Sequence, residues 1–352
     1  MKIVHVVYSL EMGGAEVLVG QLSRTQRAGG HDVSICAYSQ LGVVGEKLRD
    51  EGFDIQVLGE APPLKTMWRY YEIFRATKPD VVHCHNAAPT THAALSARLA
   101  GVRKVISTRH RLELPYKKAE EIRYSVMGMF CDWVTGICET TCRDLRGAPL
   151  ARLKKIVRVY NGTVPVERAS FEALGKTGFT ITFIGRIAPV KDLGTLVRAV
   201  MIAKERVPDL QFWVVGDGWV RHELEAVIEE LGAHPWVKLW GLQMDTAPFF
   251  SAADAFVMSS LSEGLPMSLL QSMSLGTPAI LTDVDGSGEV LRLTGGGILV
   301  PVSAPEKFAE AIVTMATDAA AREEFGRRAL EAYREHFTLK RMADGYMRLY
   351  QG

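Results

Sequence analysis

Three segments of this chain combine residue types and spacings that can do chemistry. The first is Glu263-Gly264-Leu265-Pro266. It follows an apolar run, Ala255 to Met258, that reads as a buried strand, and precedes an apolar-periodic stretch, Met267 to Leu275, that reads as a helix. A carboxylate and a glycine therefore stand at the mouth of a strand, directly before a helix N-terminus. The free amides and positive dipole end of a helix attract phosphate, and a nearby carboxylate accepts hydrogen bonds from sugar hydroxyls. Phosphate and polyol together are what a nucleotide-sugar presents.

The second segment is Gly185-Arg186 with Lys191 five residues on, after the strand-like run Thr180 to Ile184. Fixed cations at a strand end suit a departing nucleoside diphosphate, which gains negative charge as its bond to the sugar lengthens. Arg can bind such a group bidentately, and Lys acts as a point charge. The third is Gly13-Gly14-Ala15-Glu16 after the strand Lys2 to Tyr8. Its glycines let a ligand approach the backbone, but it is not the GxGxxG pattern of dinucleotide sites.

Histidines add a further set. His110 follows the strand Val105 to Ser107 and is flanked by Arg109 and Arg111; its side-chain type fits acid–base or positioning work. His83 and His85 occupy alternate positions of the strand end Val81 to Asn86. They are expected to point to opposite faces, so that one packs, His85 lines the site, and no single metal takes both. The turns Gly216-Asp217-Gly218 and Asp283 to Glu289 also end strands, with Asp217 read as a helix cap. No Asp-x-Asp carboxylate pair is expected at a strand end, and no catalytic metal is predicted.

These residues need elements to position them. Thirteen strand candidates alternate with helical stretches through the chain, which predicts parallel sheets with helical crossovers. At 352 residues the chain suits two domains. The pattern breaks at 161–176, placing a first domain at 1–165 and a second at 166–337, with an amphipathic helical segment, 321–351, interrupted near His336 to Thr338. The halves differ in charge: 23 Lys and Arg against 16 Asp and Glu through Gly162, then 18 against 24. The basic half suggests an anionic partner, and Leu64 to Arg75, with Lys117 and Lys118, a peripheral membrane contact; core packing is the stronger reading of that helix. No basic stripe supports nucleic-acid binding. Five cysteines without a CxxC read as reduced packing residues, and the N-terminus reads as a strand and not a signal peptide, together predicting a cytoplasmic protein, with the inner membrane face as a working site.

Taken in order, the three segments resemble the retaining glycosyltransferases of the GT-B fold, family 4 type. The family's late motif is Glu, Gly, aromatic or Leu, Pro, then a second Glu eight residues after the first; here the last position is Gln271. The resemblance implies an α/β fold of two Rossmann-like doubly wound domains facing across a cleft, with a C-terminal helix, 338–352, crossing back to the first. It implies a catalytic set of Glu263, His110, Arg186 and Lys191. Donor contacts would come from Gly13, Gly14, Arg186, Lys191, Gly216, Glu263, Gly264, Leu265, Pro266, Met267, Ser268 and Gln271. Acceptor contacts would come from Glu16, His85, Arg109 and His110. The implied donor is a nucleotide-diphosphate sugar, UDP or GDP, with no cofactor, and the acceptor a glycan or lipid-linked glycan. Gln271 still offers hydrogen bonds to a ribose but without charge, about 1 kcal/mol against 1.5–3 for a charged partner. A GT-B epimerase or phosphorylase, and a non-catalytic nucleotide-sugar-binding subunit, are the alternatives.

Overall fold

The computed structural model describes residues 1–110, 118–148, 150 and 155–352, with Lys118 described by its backbone alone. Arg111 and Lys117 lie outside the described residues. The chain divides into two compact units, 1–163 with 339–352, and 164–338.

Among the described residues the first unit holds a seven-stranded sheet: β1 (Lys2–Val7), β2 (Asp32–Ala37), β3 (Asp54–Val57), β4 (Val81–His85), β5 (Lys104–Arg109), β6 (Trp133–Gly136) and β7 (Ile156–Arg158). Every pairing is parallel, in the order β3-β2-β1-β4-β5-β6-β7. The connecting helices are α1 (Gly14–Ala28), α2 (Gly42–Asp50), α3 (Pro63–Thr77), α4 (Ala87–Leu99), α5 (Lys118–Met127) and α6 (Glu139–Gly147). The alternation of side chains along each strand sorts this sheet into two unlike faces. Val4, Val6, Val82, Cys84 and Val105 join Tyr70 and Phe74 of α3 and Ala93, Ala94 and Ala97 of α4 in one apolar core. The opposite parity carries His5, His83, His85 and Thr108, all buried. Onto that polar face packs the C-terminal helix, Leu339–Gln351, whose Met342, Ala343, Tyr346 and Tyr350 form its buried stripe. The break read near His336 to Thr338 is where this helix parts from its predecessor.

In α3 the buried residues are Thr66, Tyr70 and Phe74, while Leu64 and Trp68 are exposed. That is a core face plus a solvated face. All five cysteines are buried and free. Among the described residues no helix is long and apolar enough to cross a membrane.

The second unit holds, among the described residues, a six-stranded parallel sheet: β8 (Thr180–Ile184), β9 (Gln211–Val215), β10 (Val237–Gly241), β11 (Ala255–Met258), β12 (Ala279–Thr282) and β13 (Gly297–Val300), in the order β10-β9-β8-β11-β12-β13. Its helices are α7 (Leu193–Ala203), α8 (Arg221–Glu230), α9 (Ala247–Ala252), α10 (Met267–Ser274), α11 (Asp285–Thr294), α12 (Pro305–Thr317) and α13 (Ala319–His336). The inner strands β8, β9, β11 and β12 are buried almost without interruption, as in Phe256, Val257, Ile280 and Leu281, because helices cover both faces of a parallel sheet. Strand order reverses between β8 and β11 here, and between β1 and β4 in the first unit. Open α/β sheets bind ligands beyond the strand C-termini at such reversals.

Candidate active site

In the second unit the reversal brings together residues far apart in sequence. The loop after β8 carries Gly185, Arg186 and Lys191; the loop after β11 carries Ser259 to Pro266. Lys191 Nζ and Glu263 Oε1 are joined as an ion pair, with side chains 18% and 10% exposed. Ser260 Oγ donates to the same carboxylate oxygen at 2.6 Å. A second acid fixes the loop: Asp285 Oδ2 accepts from Ser262 Oγ at 2.7 Å and from the Glu263 amide at 3.1 Å. Ser259 Oγ meets the carbonyls of Lys191 and Asp192 at 2.7 and 2.8 Å, so the loop after β11 also holds the lysine's backbone. Asp192 (φ 45°) and Asp285 (φ 37°) both sit in the left-handed region, which a non-glycine residue occupies at a cost of about 1–3 kcal/mol. Both stand where strand-end loops turn into helices.

Two glycines let the loop after β9 approach the loop after β8. Gly216 has φ +133°, and a Cβ there would lie 2.0 Å from the Gly185 carbonyl oxygen; one at Gly218 would lie 1.9 Å from that of Ile187. The loops are stitched by Gly185 N–H to Val215 O and Ile187 N–H to Asp217 O, each 2.9 Å. Arg186 is exposed beside the strand end, its guanidinium 5.8 Å from the Trp219 ring centre. Asp217 Oδ1 accepts from the Gly218 amide at 2.7 Å, and its other oxygen faces Arg221; it braces this turn, and the residue preceding α8 is Val220.

Helix α10 begins after Pro266 with no side-chain cap, so the first-turn amides at Met267 and Ser268 keep the helix's positive end open to an anion. Leu265 is buried and anchors the turn, while Gly264, Pro266, Met267 and Ser268 are partly exposed. Gln271 lies one turn into α10 and is partly buried. The expectation that no Asp-x-Asp pair ends a strand is corrected: Asp283-Val284-Asp285 directly follows β12. Its carboxylates serve within the protein, Asp283 pairing with Arg292 and Asp285 holding the Glu263 loop.

In the first unit, α1 starts after Gly13, which brings no capping side chain, and Gly14, Ala15 and the partly buried Glu16 form its first turn. His110 follows β5 and is 7% exposed. Its amide donates to Asn86 Oδ1 at 2.9 Å, and the Asn86 amide donates to Thr108 O at 2.7 Å. Asn86 holds φ 72° at the end of β4. Arg109 points the other way along the strand: it is 1% exposed and pairs with Glu121 of α5, with its guanidinium 4.8 Å from the Tyr124 ring centre. It packs that face and does not stand beside His110.

The reading of His83 and His85 on opposite faces is also corrected. Positions i and i+2 of a strand share a face, and the parallel register sets His5 beside His83. The His83 and His85 rings lie 4.1 Å apart between centres, and His85 Nδ1 meets His110 Nε2 at 3.0 Å. Burial lowers all four histidines, His5 and His110 to about 4 and His83 and His85 well below 6.5, so all are neutral at pH 7. His5, Gln26, Tyr346 and Tyr350, which complete this face, were not found from sequence. The signal was available: polar residues of one parity in β1, β4 and β5 amid valines.

Comparison with known proteins follows the same division. Residues 12–166 match the family described as Glycosyltransferase Family 4, and 178–318 match Glycosyl transferases group 1. The chain is 31% identical over 198 residues to a lipopolysaccharide core biosynthesis glycosyltransferase, LpsE, of Rhizobium meliloti, covering 55% of this chain and 57% of that one. It is 26% identical over 279 residues to the UDP-Gal:alpha-D-GlcNAc-diphosphoundecaprenol alpha-1,3-galactosyltransferase of Escherichia coli, covering 72% and 71%. The crystal structure of Anabaena Alr3699/HepE in complex with UDP superposes with a TM-score of 0.87, at 18% identity and 99% coverage of both chains.

Proposed function

Since the chain belongs to the GT-B-fold glycosyltransferases of the family 4 type, we propose that it transfers a sugar from a nucleoside-diphosphate donor to a glycan or lipid-linked acceptor, with retention of anomeric configuration. The observation that carries this reading is the meeting of Lys191 and Glu263 at the β8–β11 reversal, with Arg186 on the same loop as Lys191 and the start of α10, without a side-chain cap, following the loop that carries Glu263. A cation, a carboxylate and free helix amides within one strand-end cluster match a sugar diphosphate group by group.

In the proposed reaction the donor diphosphate lies against Arg186, Lys191 and the α10 amides, and Glu263 receives hydroxyls of the transferred sugar. Lys191 is then shared between carboxylate and phosphate. As the sugar–phosphate bond breaks, charge grows on the leaving diphosphate, and prepositioned cations stabilise that stage more than the bound donor. The acceptor hydroxyl attacks from the face the diphosphate leaves, giving retention, and the departing phosphate helps to take its proton. His110 positions the sugar and acceptor. The counter-charge comes from Arg186, Lys191 and the helix dipole, so turnover should persist in EDTA. The basic first half suits an acceptor carrying phosphate at the cytoplasmic membrane surface.

The test is a panel of nucleotide-sugars, UDP and GDP forms first, with glycan and polyprenyl-diphosphate acceptors. Acceptor-dependent release of nucleoside diphosphate, with an α-linked product from an α-linked donor, is expected. Turnover without acceptor would instead indicate an epimerase or hydrolase, and tight donor binding with no turnover a binding subunit.

A further inference from the structure

The polar face of the first unit is a directed hydrogen-bond network that ends at His110. One branch runs through ring nitrogens alone: Gln26 Oε1 to His5 Nε2 at 2.7 Å, His5 Nδ1 to His85 Nε2 at 3.0 Å, and His85 Nδ1 to His110 Nε2 at 3.0 Å. A second branch leaves the same amide: Gln26 Nε2 to Tyr350 Oη at 3.3 Å, Tyr350 Oη to His83 Nδ1 at 2.7 Å, and His83 Nε2 to Thr108 Oγ1 at 2.7 Å. Thr108 passes on to Thr135 Oγ1 at 2.6 Å.

A neutral imidazole has one donor and one acceptor nitrogen. Each ring in a chain therefore takes its tautomer from its neighbour, and the end that cannot choose sets them all. That end is Gln26. Reversing its amide would set two nitrogens 2.7 Å apart, shorter than the 3.0 Å of the ring-to-ring contacts here, and stretch an O–H···O bond to 3.3 Å, outside its usual range of about 2.5–3.0 Å. With the oxygen toward His5, His5 Nε2 carries a proton and its Nδ1 accepts. His85 then donates from Nε2, and His110 likewise.

We propose that Gln26, His5 and His85 are positioning residues that hold His110 as the Nε2–H tautomer, so that its Nδ1 presents a lone pair to accept a substrate hydroxyl. The glutamine sits three hydrogen bonds from the ring whose tautomer it decides. Burial keeps the rings neutral, which the network requires, because an imidazolium donates from both nitrogens and would break the chain at that ring. The ring nitrogens of His5, His83 and His85 approach one another within 4.8 Å, close enough to suggest a metal, but all six already have hydrogen-bond partners.

The substrate part of this inference rests on the proposed glycosyl transfer; the tautomer does not. The experiment is two-bond 1H–15N correlation spectroscopy of the whole protein with 15N-labelled histidine, its signals assigned by single substitutions. In the unsubstituted protein His110 should show a protonated Nε2 and an unprotonated Nδ1. Gln26→Met should give His110 a mixture of tautomers and lower kcat about fivefold, the equivalent of one neutral hydrogen bond, with the donor KM unchanged. A protonated Nδ1 on His110 in the unsubstituted protein overturns the proposal, as do His110 signals unaltered in folded Gln26→Met, or a stoichiometric metal whose removal moves these signals. The unsubstituted spectrum decides even if Gln26→Met does not fold. The expected tautomer without any sugar transfer would leave the network standing and refute the function.

Discussion

Acidification should loosen the first unit before carboxylates are protonated. His5 and His110 are buried neutral, each held at about 4 against 6.5 when unfolded. The native state thus binds fewer protons than the unfolded chain, and stability rises with pH through this window. The stabilisation is complete above pH 6.5 and is lost progressively as pH falls toward 4. Between pH 7.5 and 5.0 the loss is about 2 kcal/mol for each of these two histidines, and His83 and His85 shift in the same direction. Repulsion among the four rings further disfavours protons in the native state, so coupling does not reduce this loss. A loss of about 4 kcal/mol is a large part of the 5–15 kcal/mol typical of a domain. The assay is hydrogen exchange read on peptides from β1 and β4 along a urea series at both pH values. The β1 and β4 midpoints should move to lower urea at pH 5.0, while β8 and β11, which carry no histidine, should move much less. His5→Gln, in a protein that still folds, should reduce the pH effect on β1 and β4 by about 2 kcal/mol. Equal shifts in both units, or none in β1 and β4, would refute the reasoning.

Lys191→Met and Glu263→Gln should each lower turnover at least about tenfold, on the order of 1.4 kcal/mol of barrier, measured by nucleoside diphosphate release; unchanged rates in both would remove the pair from the chemistry. Gly216→Ala must push a Cβ to 2.0 Å from the Gly185 carbonyl oxygen, so it should lower the melting temperature and weaken UDP binding, and a variant matching the parent in both would show that the loops can part freely. Gln271→Glu should tighten donor binding by about two- to thirtyfold, the gap between a neutral and a charge-assisted hydrogen bond to ribose; calorimetry showing no gain would place the ribose elsewhere.

The strands were legible because a parallel sheet covered on both sides demands short, nearly continuous apolar runs, and the runs Lys2 to Tyr8, Val105 to Ser107, Thr180 to Ile184 and Ala255 to Met258 became strands with ends shifted by at most two residues. Helices such as Gly42–Asp50, Ala247–Ala252 and Asp285–Thr294 were not named, since helices this short depend on packing more than on their own periodicity. Strand-end Gly, Arg, Lys and Glu marked a site, but the Lys191–Glu263 contact bridges 72 residues and follows from β8 lying beside β11, an order that sequence does not print. The histidine face was within reach: His5, His83 and His85 have the right parity, and only the faces of His83 and His85 were misassigned. Asp285 was seen as a turn residue; its hold on Glu263 depends on β12 lying next to β11.

Sugar transfer by this chain requires the loops after β8 and β11 to grip a diphosphate. The most direct measurement is calorimetric titration of UDP, GDP and their parent nucleosides into the protein and into Arg186→Ala and Lys191→Ala. One of the two diphosphates should bind the parent, lose at least about tenfold in affinity in each variant, and leave the far weaker binding of its nucleoside unchanged. Equal diphosphate affinity in all three proteins would contradict the account.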